Sequence, residues 1–330
     1  MAGDSINQPV LVVHIGMPKC GSTSLQAGFS QHSEPGSWWY PKSENPERFA
    51  NGQSIFSDVT LREIDTKLSE GNLVVLSEEG FYEDIEVIVN RLGLLQSRPR
   101  IIYMVVVRPY LELVSSWAGE LSKPYHLQAI EHYSPMNFLD ILEIACRRAN
   151  FAISNILEFL RSNSGKTRVF SLDSFHDIIF FFQSLNGTKL SLPLIQNQGT
   201  SRKYCEASII SANLLHELQL SQFVDAPNID DLVMKLNSGD PRSIVYSLQP
   251  NELGLIDRFW NDLLAQSSMR DVSLLHLESL VPFLETPSSQ TPNLLNFAEK
   301  TTNPVDELEV YKYWISRFTQ ATSDSTTSFN

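Results

Sequence analysis

The stretch that most restricts what this chain can fold into is the apolar, β-branched run at 10–13 together with the segment directly after it, His14-Ile15-Gly16-Met17-Pro18-Lys19-Cys20-Gly21-Ser22-Thr23-Ser24-Leu25-Gln26. The run has the composition of a strand buried on both faces, Gly16 and Gly21 permit a tight turn, and Ser22 to Ser24 offer cap hydroxyls at a helix start. A strand, a glycine-bounded turn and a helix in that order form a βα unit. The first N–H groups of such a helix point into the turn and make it an anion cradle.

Further strand candidates at 73–77, 101–107 and 167–172 alternate with helical patterns, which predicts a parallel sheet with helices on its faces. Residues 101–107 are nearly all apolar, as a strand covered on both sides requires. The clearest helix is 110–121, where Tyr110, Leu113, Val114, Trp117, Ala118 and Leu121 fall on one face and Glu112, Ser115, Ser116 and Gly119 on the opposite one. Helical periodicity recurs at 138–160, 175–185, 205–218, 253–263 and 308–318.

Gly16 and Gly21 keep the spacing of the triphosphate-binding loop G-x-x-x-x-G-K-[ST], but Ser22 stands where that loop has its lysine, and Lys19 lies inside the turn. A Mg²⁺-dependent phosphotransferase also needs an acid at the end of a second buried strand, and 101–107 ends in Arg108 instead. Cations at both places suit an anionic nucleotide held without a metal, since Lys and Arg then neutralise the charge.

At these residues the chain resembles sulfotransferases that use 3′-phosphoadenosine 5′-phosphosulfate (PAPS). Residues 14–26 are similar to their 5′-phosphosulfate loop, H-I-G-x-x-K-T-G-T-T-S-L-Q. Arg108-Pro109-Tyr110-Leu111-Glu112-Leu113-Val114-Ser115-Ser116 is similar to their second element, a strand-end Arg with a Ser eight residues on. The departures are Cys20 and Ser22 in place of Thr, and one residue fewer between Arg108 and Pro109; Ser115 is the alternative to Ser116. The Asn/Ser/Arg-rich turn 194–203 before a helix also resembles the family, so the likeness covers 10–218, about two thirds of the chain.

The resemblance implies an α/β three-layer sandwich with a central parallel sheet, P-loop NTPase-like, and a mostly helical C-terminal extension. It implies PAPS as sulfuryl donor, PAP as product and no metal. Lys19, with Cys20, Gly21, Ser22, Thr23 and Ser24, holds the 5′-phosphosulfate. Arg108 and Ser116 hold the 3′-phosphate, with Arg202 and Lys203 as additional cations. In the family, the strand before the Arg-bearing one ends in the catalytic base. Here that place reads Ser77-Glu78-Glu79, making Glu78 the candidate, with Glu79 and His32 as alternatives. A hydroxyl acceptor needs such a base because it is a poor nucleophile at neutral pH. Trp38, Trp39 and Tyr40 either stack on the adenine, line the acceptor pocket or belong to the core. Cys20 is either a redox-sensitive thiol beside a helix start or a small residue in place of Thr.

Apolar content of 42% indicates a globular chain, and a net charge of −13 disfavours nucleic acids and long polyanionic glycans. The expected acceptor is a small molecule or saccharide. No run approaches the ~20 apolar residues of a membrane span, and residues 1–9 lack the basic and apolar segments of a signal peptide, so a cytoplasmic location is expected. Cys20, Cys146 and Cys205 have neither metal-ligand nor disulfide spacing. The expected organisation is a disordered start at 1–9, one domain at 10–318 (core 10–218, acceptor-shaping helices 219–318) and a disordered Ser/Thr-rich tail at 319–330. Two rival readings remain: a nucleotide kinase with a variant P-loop, and an inactive nucleotide-binding module.

Overall fold

β1 (Val10–His14) pairs in parallel with β2 (Leu73–Ser77) on one side and β3 (Arg100–Val107) on the other, and β3 pairs with β4 (Thr167–Ser171), giving the order β2-β1-β3-β4. Parallel neighbours need helical crossovers, which is what the alternating sequence pattern predicts. The computed structural model describes residues 8–31, 38–41, 57–128, 135–172, 175–186, 201–219, 225–236, 244–265 and 305–327. The fold is α/β, with a four-stranded, all-parallel central sheet flanked by helices. The strands match the expected ones to within one residue at each end. Among the described residues no helix is long and apolar enough to cross a membrane.

The chain divides into two compact units. The first comprises Met1–Pro109, Asn150–Asn197 and Asp262–Glu285 and contains the whole sheet. Its helices include α1 (Ser22–Gln31), α2 (Asp58–Ser69), α3 (Ile85–Leu92), the later part of α6 (Phe138–Asn163), and α7 (Phe175–Asn186). Phe29 of α1, Phe182 of α7 and Trp38 form one aromatic cluster, with ring centroids 5.0 to 6.4 Å apart. Tyr40 joins it through Phe29 at 5.9 Å. The Trp38 indole also donates to the Phe29 carbonyl at 3.0 Å. Trp39 pairs with β2 in a parallel bridge opposite Val74. Trp38 and Tyr40 are therefore core residues, one of the three roles open in the sequence.

The second unit comprises Tyr110–Ala149, Gln198–Asn261 and Thr286–Asn330 and is helical in its described residues. It holds α4 (Tyr110–Leu121), α5 (Pro124–Gln128), α8 (Arg202–Glu217), α9 (Ala226–Lys235), most of α10 (Pro250–Ala265) and α11 (Glu307–Thr327). Buried Trp314 donates to Ser211 at 3.0 Å, tying α11 to α8, and Tyr110 packs on Trp260 at 4.9 Å.

Three sequence expectations change. Residues 8 and 9 are tied down: the Pro9 carbonyl accepts from Arg100 N at 2.7 Å, extending the ladder beside β3, and Gln8 donates to the Arg98 carbonyl. α11 runs to Thr327, into the segment expected to be disordered, because a helix anchored by Val310, Tyr313 and Trp314 propagates one bond per added residue. On α4, Ser115 and Gly119 are buried, so the less buried stripe is Glu112, Ser116 and Glu120.

Candidate functional site

The strand order places β1 between β2 and β3, and the chain leaves β1 in opposite directions on its two sides. In open parallel sheets, ligands bind at the carboxyl ends of the strands flanking such a switch point. The turn after β1 lies there. It keeps pairing with β3 beyond the strand proper: Ile15 N donates to Met104 O at 3.0 Å, Met17 N to Val106 O at 3.2 Å, and Val106 N to Gly16 O at 3.0 Å. The turn is thereby carried to within two residues of Arg108.

Gly16 has φ +108°, and a Cβ there would lie 3.3 Å from the Glu79 carbonyl oxygen. This glycine is needed both for its backbone angle and for the close pass of the 3₁₀ turn Glu79–Tyr82. Lys19 (φ 63°) and Gly21 (φ 76°) are also left-handed, a region uncommon for a non-glycine residue such as Lys19. The Gly21 carbonyl accepts from Ser24 N at 3.1 Å and Leu25 N at 3.2 Å, starting α1. The earlier N–H groups of that first turn have no intrahelical acceptor. The Ser22 hydroxyl donates back to the Met17 carbonyl at 3.3 Å, bracing the turn. Lys19 and Ser24 are half-buried and Thr23 is exposed.

Arg108, at the end of β3, donates from Nη1 to the Lys19 carbonyl at 2.7 Å. On the other side of β1, Glu78 N donates to the His14 carbonyl at 3.2 Å, which fixes the half-buried Glu78 at the end of β2. The first unit thus brings Lys19 to Ser24, Arg108 and Glu78 to one edge of the sheet. Glu79 opens the 3₁₀ turn beside Gly16. Cys20 is fully buried, packing as a small group that offers no surface to an oxidant, and none of the three cysteines is in a disulfide.

Beneath this edge lies a buried polar group whose partners the sequence does not reveal. His14 and Ser77 are register partners on β1 and β2, and His14 Nδ1 lies 2.7 Å from Ser77 Oγ. Both are fully buried. Burial lowers the His14 pKa to about 4, against a smaller opposing effect of the Gly16 backbone. Tyr40 is hydrogen-bonded to the same Ser77 hydroxyl. Burial first, and the Glu78 charge second, push its phenol well above the ordinary range, outweighing that hydrogen bond. The only sequence signal for Tyr40 is its place in an aromatic run, which does not reveal what its hydroxyl meets.

The remaining candidates belong to the second unit or to residues outside those described. Ser115 and Ser116 are on α4 in the second unit; Ser115 is buried with no hydrogen-bond partner for its hydroxyl, and Ser116 is half-buried. Arg202 and Lys203 form the first turn of α8 in that unit. The reading of Arg202 as a phosphate ligand is corrected: Nε donates to Glu206 at 2.7 Å, Nη1 to Glu252 at 2.6 Å and to the Ser247 carbonyl at 2.8 Å, and Nη2 to Glu252 at 2.7 Å. Its guanidinium also lies over the Phe138 ring, 4.7 Å from the centroid. Burial alone would lower its pKa, but the Glu252 and Glu206 carboxylates outweigh that and raise it. Lys203 is half-buried. His32 and residues 194–200 lie outside the described residues.

Compared with known proteins, the chain matches no family model, no curated protein and no solved structure.

Proposed function

We propose that this chain is a sulfotransferase that moves a sulfuryl group from PAPS to a hydroxyl or amine of a small-molecule or saccharide acceptor. The observation that carries the reading is the 2.7 Å hydrogen bond from Arg108 to the Lys19 carbonyl. Two motifs 89 residues apart in sequence are one structural piece at the switch point of the sheet, and both present cationic side chains. An isolated anion cradle would need only the first motif. A nucleotide with phosphate at both ends of its ribose needs both.

The residues fit such a ligand. Lys19, the first N–H groups of α1 and the hydroxyls of Thr23 and Ser24 suit the 5′-phosphosulfate, and Arg108 suits the 3′-phosphate. Ser116 enters this reading from sequence spacing alone. When bound, PAPS supplies the sulfuryl group as a reactive anhydride, with PAP left as product. The Lys19 ammonium offsets negative charge at the 5′-phosphate oxygen as its bond to sulfur breaks. Glu78 accepts the proton that the acceptor loses as its own bond to sulfur forms. Both roles need groups held before the ligand arrives, and β1 anchors both, through its carbonyl to Glu78 and through its turn to Lys19.

Ligand-dependent melting tests the reaction class. PAP without Mg²⁺ is expected to raise the melting temperature, by about 2.7 kcal/mol of stabilisation at a hundredfold excess over Kd. Stabilisation by ATP only in the presence of Mg²⁺ would reject the reading in favour of a kinase.

A further inference from the structure

The amino end of the sheet in the first unit carries a group of cations that the candidate site does not use. Arg98 and Arg100 lie where the chain enters β3, and Lys166 closes the 3₁₀ turn Ser164–Lys166, which touches β3 and runs into β4. Tyr103 pairs with Thr167, so Lys166 stands level with Ile102, two residues along from Arg100 on the neighbouring strand. Arg161, in the last turn of α6, and Arg168, second in β4, extend the group. All five are exposed. Among the described residues no carboxylate forms an ion pair with Arg98, Arg100, Lys166 or Arg168, whereas Lys67, Arg91, Arg147 and Lys312 each have one. The backbone beneath the arginines is fastened on both sides. Asp65 of α2 accepts from Gln96 N at 3.3 Å and Ser97 N at 2.8 Å, Gln8 donates to the Arg98 carbonyl at 3.1 Å, and Arg100 N donates to Pro9 O at 2.7 Å. The same turn leaves Leu94 61% exposed, four residues before Arg98.

We propose that this end of the first unit docks on an anionic lipid bilayer, with the cations on headgroup phosphates and carboxylates and Leu94 between the headgroups. Two features favour a bilayer over other polyanions. A chain of net charge −13 repels a flexible polyanion that wraps around it, but a planar surface meets one end only, and charges farther off than a Debye length of about 8 Å are screened. An exposed leucine beside the cations gains contact with lipid and none with a phosphodiester backbone. Docking leaves the candidate site free, because Arg100 and Arg108 mark opposite ends of β3, roughly 26 Å apart at the rise of a strand.

Sedimentation of the full chain with vesicles at low ionic strength tests this. The protein should pellet with vesicles of equal parts phosphatidylserine and phosphatidylcholine, not with phosphatidylcholine alone, and added salt should release it. Arg98→Gln, Arg100→Gln and Lys166→Gln should each lower the partition coefficient about fivefold, the effect of one cation near such a surface. Leu94→Ser should lower it severalfold without altering the salt dependence. Arg62→Gln, which removes an exposed cation from α2, should leave partitioning unchanged. No binding to the anionic vesicles, an equal loss in Arg62→Gln, or binding of a DNA duplex as tight as that of the vesicles would overturn the proposal.

Discussion

Arg108 of the sheet-bearing unit and Arg202 of the helical unit are alike in sequence, each basic and each next to the start of a helix, yet their surroundings give them different work. Arg108 donates to a backbone carbonyl, that of Lys19, which ties the guanidinium to the turn after β1. Arg202 is gripped by two carboxylates, a carbonyl and an aromatic face, and Glu252 in that group is itself buried. A cation neutralised by two acids holds elements together and has little left for a phosphate. On the proposed reading, the sheet edge turns its cations toward a ligand, while the α8 cluster uses the same chemistry to hold elements together.

The sharpest way to break that comparison is Arg202→Ala. Removing the cation strands Glu252 and Glu206 without their partner, and should cost roughly 3–5 kcal/mol in denaturant unfolding. If stability barely moved and PAP affinity fell instead, Arg202 would be a ligand residue after all. Lys19→Ala should show the reverse: turnover of PAPS lower by about 10²–10³, the effect of losing one group that meets developing charge, with stability within about 0.5 kcal/mol of wild type.

The first unit also contains a buried polar pair, His14 beside Ser77, whose titration bears on stability. Unfolded His14 takes up a proton below about pH 6.5 and the folded residue only below about 4, so unfolding binds a proton in between. Stability therefore rises with pH across that window and is lost on acidification through it, by at most about 3 kcal/mol. In His14→Asn, unfolding free energies between pH 6.5 and 4 should lose this slope; an unaltered slope would mean that other groups set it.

The same contrast between local and distant partners explains what could be read from the sequence. The strands are visible as short apolar runs, and α4 as a 3.6-residue period, because both signals are local. The turn at 14–26 and Arg108 were legible because backbone geometry and charge are written at fixed short spacings. For Arg202, the partner Glu206 lies one helical turn on and was within reach of a spacing argument, but Glu252, 50 residues away, was not. Tyr40 is brought to Ser77 by the pairing of its neighbour Trp39 with β2, a non-local contact with no spacing signature. α2 carried a readable signal, Leu61, Ile64 and Leu68 on one face with Ser57 capping Thr60 N, yet was not among the expected helices.

The central claim, that the turn after β1 and Arg108 together hold a nucleotide phosphorylated at both ends, is tested most directly by calorimetric titration of PAP and 5′-AMP, without divalent metal, into wild type and Arg108→Ala. PAP should bind the wild type at least about tenfold tighter than 5′-AMP, and Arg108→Ala should erase most of that difference while changing 5′-AMP binding little, as expected for two partners of one contact. Equal affinity of the wild type for the two nucleotides, or an equal loss for both in Arg108→Ala, would contradict it.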